Sequence, residues 1–194
     1  AAAPFSTKIG SDIDGEAAGD LSGYSVSLSS NGTIVAIGAV HNDGTFTNAG
    51  HVRIYHQNVS GSRTEIGDDI DGEAAGDLSG YSVSLSSDGS IVAIGAVHND
   101  GNGSNAGHVR VYQNVSGTWT QLGSDIDGEA AGDNSGYSVS LSSDGTIVAI
   151  GADHNNGNGL SSGHVRVYQN VSGTWTQLGG DINGEAAGNR SGNS

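Results

Sequence analysis

The stretch Gly136-Tyr137-Ser138-Val139-Ser140-Leu141-Ser142-Ser143-Asp144-Gly145-Thr146-Ile147-Val148-Ala149-Ile150-Gly151-Ala152 decides the fold. Tyr137, Val139 and Leu141 alternate with serines, the period of two that gives a strand one apolar face. Ile147 to Ile150 is apolar on both faces, as expected of a strand covered on both sides. Asp144-Gly145 between them is a strong hairpin signal and predicts a type I′ turn, with positive φ at two residues. Two strands joined by a tight turn follow.

Downstream, Val165 and Val167 lie on one face of a third strand, and His164, Arg166 and Tyr168 on the other. A Ser172-Gly173 turn then leads to a fourth strand, Thr174-Trp175-Thr176-Gln177-Leu178. The same order occurs twice upstream. Gly-Tyr-Ser-Val-Ser-Leu-Ser-Ser starts at Gly23, Gly80 and Gly136, and Ile-Val-Ala-Ile-Gly-Ala at Ile34, Ile91 and Ile147. Gly-His-Val-Arg-(Ile/Val)-Tyr starts at Gly50, Gly107 and Gly163. The period is 57 residues once and 56 thereafter. No stretch has helical periodicity. The expected fold is all-β, as tandem four-stranded antiparallel blades of the β-propeller type. The units are 23–67, 68–123 and 124–179, flanked by a partial repeat over 1–22 and the start of another over 180–194.

The run Gly-Tyr-Ser-Val, Asp-Gly, Val-Ala-Ile-Gly-Ala, Gly-His-Val-Arg-Val-Tyr resembles the FG-GAP repeat of integrin-α-type β-propellers, across all three repeats. It departs in two places: Tyr stands where the Phe-Gly pair is usual, and a short turn replaces the calcium loop of many such blades. The resemblance implies the propeller fold more than any ligand.

Composition narrows function. The formal net charge of −15 opposes binding to phosphate backbones, so no nucleic-acid partner is expected. With no Cys there is no disulfide and no thiolate site. The longest apolar run, Ile34 to Val40, is too short to span a bilayer. The chain opens Ala1-Ala2-Ala3-Pro4 and has no Met. That start is consistent with a removed leader or with a piece of a longer protein, and an extracellular, secreted location is expected.

The long loops are acidic. Asp12, Asp14, Glu16 and Asp20 recur as Asp69, Asp71, Glu73 and Asp77, and as Asp125, Asp127, Glu129 and Asp133. Their Asp-x-Asp-Gly-Glu spacing partly resembles a Ca²⁺ loop, although the closing Glu of an EF-hand is missing. The other reading is that these carboxylates cap backbone amides in tight turns. His51, His108 and His164 have no convergent His or Cys partner in sequence and read as structural. Asn-x-(Ser/Thr) acceptors stand at Asn31, Asn58, Asn102, Asn114, Asn170 and Asn189, mostly in turns on the side opposite the acidic loops.

No nucleophile elbow, phosphate loop or zinc-protease motif is present. Every polar cluster recurs in each repeat, whereas a catalytic site draws different residues from different blades. The expectation is therefore a non-enzymatic structural protein. Propellers close with about four to eight blades, so three blades imply a segment of something longer or self-assembly, as a ring or a head-to-tail filament. The alternative is a Ca²⁺-dependent adhesion propeller that binds cell-surface or matrix glycans.

Overall fold

The computed structural model describes residues 8–58 and 60–194. Blade 1 comprises β1 (Ser22–Leu28), β2 (Ile34–Ala39), β3 (His51–Gln57), β4 (Arg63–Glu65) and β5 (Ile70–Asp71). Blade 2 comprises β6 (Ser79–Leu85), β7 (Ile91–Ala96), β8 (His108–Val115), β9 (Thr118–Gln121) and β10 (Ile126–Asp127). Blade 3 comprises β11 (Ser138–Leu141), β12 (Ile147–Ala152), β13 (His164–Val171), β14 (Thr174–Gln177) and β15 (Ile182–Asn183). Among the described residues there is no helix, and so none long and apolar enough to cross a membrane.

In each blade four strands form an antiparallel meander, as the sequence predicts. A fifth, two-residue strand was not anticipated. It comes from the link to the next blade and pairs with the start of the third strand, as His51 opposite Asp71 and Val52 opposite Ile70. The isoleucine of that pair is buried in blades 1 and 2, so the link is anchored by its single apolar residue.

The Asp-Gly turn differs from the type I′ expectation. Only its glycine takes positive φ, 74° at Gly89 and 71° at Gly145. Asp144 Oδ1 instead accepts hydrogen bonds from the Thr146 amide at 3.0 Å and from the hydroxyls of Ser142 and Thr146. That local bonding lets the aspartate keep negative φ, so the left-handed position falls on the glycine alone. The two-residue turn with both φ positive lies at Ser116-Gly117 and Ser172-Gly173.

Blades stack face to face with a fixed direction. Ala36, Val52, Ile54 and Ile70 on the forward face of blade 1 pack on Val83, Leu85, Val92, Ile94 and Tyr112 on the rear face of blade 2. Ile91, Ala93, Val109, Val111 and Ile126 meet Val148, Ile150 and Tyr168 of blade 3 in the same way. The innermost strands β1, β6 and β11 neighbour one another, and Tyr24, Tyr81 and Tyr137 form a ladder with ring centroids 5.0 Å apart. Trp119 Nε1 donates to Ile66 O and Trp175 Nε1 to Leu122 O, both at 2.7 Å. Arg63, at the equivalent place in blade 1, makes the same bond to Ile9 O.

The tightest contact is backbone on backbone. A Cβ built on Gly95 would sit 2.1 Å from the carbonyl oxygen of Gly136 in the next blade, and one on Gly38 2.2 Å from that of Gly80. Gly95→Ala is expected to lower stability by about 1–3 kcal/mol or more, because the blades must separate to admit a methyl group. Gly180→Ala, which meets nothing within 4 Å, is expected to be neutral. Urea unfolding midpoints compare the two.

Hydrogen bonds from Ser142, then Thr146, hold the Asp144 carboxyl down to about 2 from an ordinary value of 3.8. A depressed acid stabilises above its unfolded value, and that contribution is lost as pH falls through the folded value. Blade 1 carries Asn31 at this position, accepting the same bonds without titrating. Asp144→Asn is therefore expected to lose less stability than wild type between about pH 3.8 and 2, measured by circular dichroism across an acid titration.

Candidate functional site

The second-to-third loop of each blade and the links before and after it share one end of the stack. The fifth strand brings the following link there, and an arginine brings the preceding one. Arg53 Nη2 donates to Asp14 O at 2.7 Å, Arg110 to Asp71 O at 2.7 Å and Arg166 to Asp127 O at 2.8 Å. Each arginine also lies over the tyrosine two residues on, 5.5–5.6 Å from the ring centroid.

The twelve link carboxylates do not converge on one point. Asp20, Asp77 and Asp133 are buried, and each accepts from a backbone amide (Ala17, Ala74 or Ala130) and from an asparagine side chain. Those asparagines, Asn42, Asn99 and Asn155, come from the second-to-third loop, so the acid ties link to loop. Asp12 is exposed and pairs with Lys8 at 2.6 Å. Asp14 offers its backbone carbonyl to Arg53, while Asp71 and Asp127 lie exposed at the end of the fifth strand.

The remaining acids converge on the strand-three histidines. Glu16, His51 and Asp69 place one donor atom each within 4.8 Å of one another, as do Glu73, His108 and Asp125, and Glu129, His164 and Asp181. His51 Nδ1 lies 3.2 Å from Asp69 and 3.9 Å from Glu16. His108 Nδ1 lies 3.7 Å from Asp125 and 3.9 Å from Glu73, and His164 Nδ1 lies 3.7 Å from Glu129. The far oxygen of each glutamate faces the arginine, at 3.3 Å for Arg110 and Glu73. Burial first, then the neighbouring Arg110, pushes the His108 imidazole down to about 4. His164 is lowered for the same reasons in the same order.

Sequence reasoning placed these histidines in the third strand but found them no partners. Glutamate and aspartate come from two different links, and only the strand pairing closes the distance. The one available signal was that His, Glu and Asp all recur in step with the repeat.

Blade 1 differs at this end. Glu65 stands where blades 2 and 3 have Gln121 and Gln177, which donate to Asp125 and Asp181 at 2.6 and 2.8 Å. Partial burial of its carboxyl, then a hydrogen bond shared with Asp69, pushes Glu65 up to about 7.

Among the acceptor asparagines, the Asn102 amide donates to Gly128 O at 2.8 Å. The side-chain nitrogens of Asn114 and Asn170 are shielded from solvent without a partner. Asn31 is exposed, its oxygen holding the turn. Asn58 likewise accepts from the amides of Ser60 and Ser62. Asn189 is exposed in the last link.

These features define tandem β-propeller blades carrying a repeated polar cluster. Residues 70–112, most of blade 2, match the FG-GAP repeat, which bears out the resemblance read from the sequence; blades 1 and 3 carry the same motifs. No curated protein matches the chain. Among solved structures, it is similar to a 6-phosphogluconolactonase-like protein from Bacteroides uniformis, at 12% identity and a TM-score of 0.55 over 85% of this chain and 42% of that one. It is also similar to Kuenenia stuttgartiensis hydrazine synthase, at 13% identity and a TM-score of 0.51 over 95% and 40%. A third is Saccharomyces cerevisiae Sqt1, at 16% identity and a TM-score of 0.51 over 85% and 37%. The chain thus spans about two fifths of those proteins, and the likeness is one of fold.

Blade 3 departs from the repeat at Asp153, which stands where blades 1 and 2 bury Val40 and Val97. Its carboxylate is fully buried, with both oxygens lacking a hydrogen bond, His154 Nδ1 at 3.5 Å and Arg190 Nη1 at 3.9 Å. Burial raises its pKa. Asp153→Val restores the packing of the other blades and is expected to raise stability by about 1–4 kcal/mol, read from chemical denaturation.

Proposed function

We propose that this chain is a non-enzymatic structural repeat protein that stacks head to tail with copies of itself outside the cell. The observation that carries the reading is the pair of half-interfaces at the two ends of the stack. On the rear face of blade 1, Val26 is 64% and Leu28 62% exposed, where their counterparts Val83 and Leu85 are 9% and 7% exposed. On the forward face of blade 3, Ile182 is 58% exposed against 4% for Ile126. Ile147, Ala149, Val165 and Val167 are half-buried there, where Ile91, Ala93, Val109 and Val111 are buried.

Burying one such aliphatic side chain contributes about 1.5–3 kcal/mol. The two open faces have the shapes that already fit each other twice inside the chain. They are different surfaces, so their association is heterologous and extends into a ring or an open array. Recurrence of every polar cluster in each blade favours a scaffold over a catalyst. Glycan attachment belongs to this reading at Asn31 and Asn58, on the turn side and away from the acidic links.

Light scattering and negative-stain electron microscopy of the 194-residue chain test the proposal. Oligomers that grow with concentration are expected, and Val26→Asp combined with Leu28→Asp is expected to abolish them without unfolding the chain, since both side chains are already exposed. A monodisperse wild-type monomer at micromolar concentration would overturn it.

One observation favours a second reading, a Ca²⁺-dependent adhesion or glycan-binding propeller. A groove of about 590 Å³ beside blade 2 is lined by Trp119, Tyr112, Asp68, Asp69 and Asp71, and an aromatic ring flanked by carboxylates suits a sugar. Particles that fall apart on chelation would favour it over the filament.

A further inference from the structure

The polar end of the stack holds three copies of one arrangement whose chemistry is not that of a calcium loop. Each copy has a buried imidazole facing two carboxylates. His51, His108 and His164 are 1% exposed, and among the described residues the Nδ1 of each has no hydrogen-bond partner. An unpaired buried ring nitrogen is costly to leave without a partner. Here it recurs three times and points each time toward carboxylate oxygens, His51 at 3.2 Å from Asp69 and His108 at 3.7 Å from Asp125.

We propose that each His-Glu-Asp cluster, Glu16-His51-Asp69, Glu73-His108-Asp125 and Glu129-His164-Asp181, binds a divalent transition metal of the zinc class through imidazole Nδ1 and two carboxylate oxygens.

The donor set selects the metal. Ca²⁺ takes oxygen ligands, whereas one nitrogen with two carboxylates suits Zn²⁺ and its first-row neighbours. Three protein ligands leave a coordination position for solvent. The donors lie within 4.8 Å of one another. The carboxylates have room to close on an ion at about 2 Å, because the Glu73 side chain is 44% and the Asp125 side chain 31% exposed.

Their orientation is already fixed from behind. Arg110 faces the other oxygen of Glu73 at 3.3 Å, and Gln121 donates to the other oxygen of Asp125 at 2.6 Å. Such supporting bonds are what hold ligands toward a metal. Neutral imidazole is the ligating form, and the Nδ1 of each ring faces the carboxylates of its cluster. In the first cluster Glu65 stands in place of the supporting glutamine.

An ion held this way joins the link before a blade, the third strand of that blade and the link after it. It would fasten the connections that blade stacking leaves exposed.

The test is calorimetric titration of the chelator-treated 194-residue chain with Zn²⁺. Three equivalents are expected, with a raised thermal midpoint. His108→Gln and, separately, Asp125→Asn are each expected to reduce the stoichiometry to two. Asp125 is part-exposed, so its variant keeps the experiment decisive if the buried histidine variant fails to fold. His56→Gln, on an exposed strand position, is expected to leave three. Co²⁺ in place of Zn²⁺ supplies a visible spectrum of the nitrogen and oxygen ligand field, which each site variant reduces by a third. No Zn²⁺ binding, or binding that Asp125→Asn leaves unchanged, would overturn the proposal. So would binding that His56→Gln abolishes, since the ion would then sit on surface histidines.

Discussion

At one recurrent point the blades approach one another with no side chain between them. The Ile-Gly-Ala step of one blade lies against the Gly-Tyr step of the next, so closely that a Cβ on Gly38 or Gly95 would overlap a carbonyl oxygen of the neighbour, and Gly151 meets Gly192 O in the same way. Side-chain packing elsewhere depends on this spacing. Only when the inner strands are this near can Ser25, Ser82 and Ser138 donate to the next blade's glycine carbonyl at 2.6–2.8 Å. The same closeness sets the tyrosine ladder and seats Val83 and Leu85 against blade 1. The glycine is there because of what it faces, and its φ is ordinary.

Fixed spacing also gives the stack its direction. The forward face is aliphatic, and the rear face adds a tyrosine, an arginine and, in blades 2 and 3, a tryptophan that donates across the boundary. Arginine from the rear face grips the preceding link, while the fifth strand grips the following one. Each blade therefore organises two connections. That is why the polar clusters form once per blade and take residues from both sides of it.

Departures from the repeat show which positions tolerate variation. Arg63 replaces tryptophan yet keeps the hydrogen bond across the boundary, because a guanidinium reaches the same carbonyl. Asn31 replaces aspartate in the first turn and accepts the same bonds without charge. Asp153 is different in kind: a carboxylate in a valine site gains no hydrogen bond to offset its burial.

The sequence by itself determined the four main strands of each blade, their order and the all-β class. Strand periodicity and turn chemistry are local, and a threefold repeat states the same local pattern three times. It also carried the resemblance that the match over residues 70–112 bears out. The fifth strand was not legible, since two residues such as Ile70-Asp71 have no periodicity and owe their pairing to the neighbouring β3. The type I′ expectation at Asp144-Gly145 failed because a carboxylate that caps its own turn frees Asp144 from positive φ. Only the tertiary structure separated the four acids of the second and third links into one buried cap, two that face a histidine and one that lies at the strand end. Their spacing along the chain is uniform, and the division follows from which carboxylates the pairing of link to strand brings beside His51, His108 and His164.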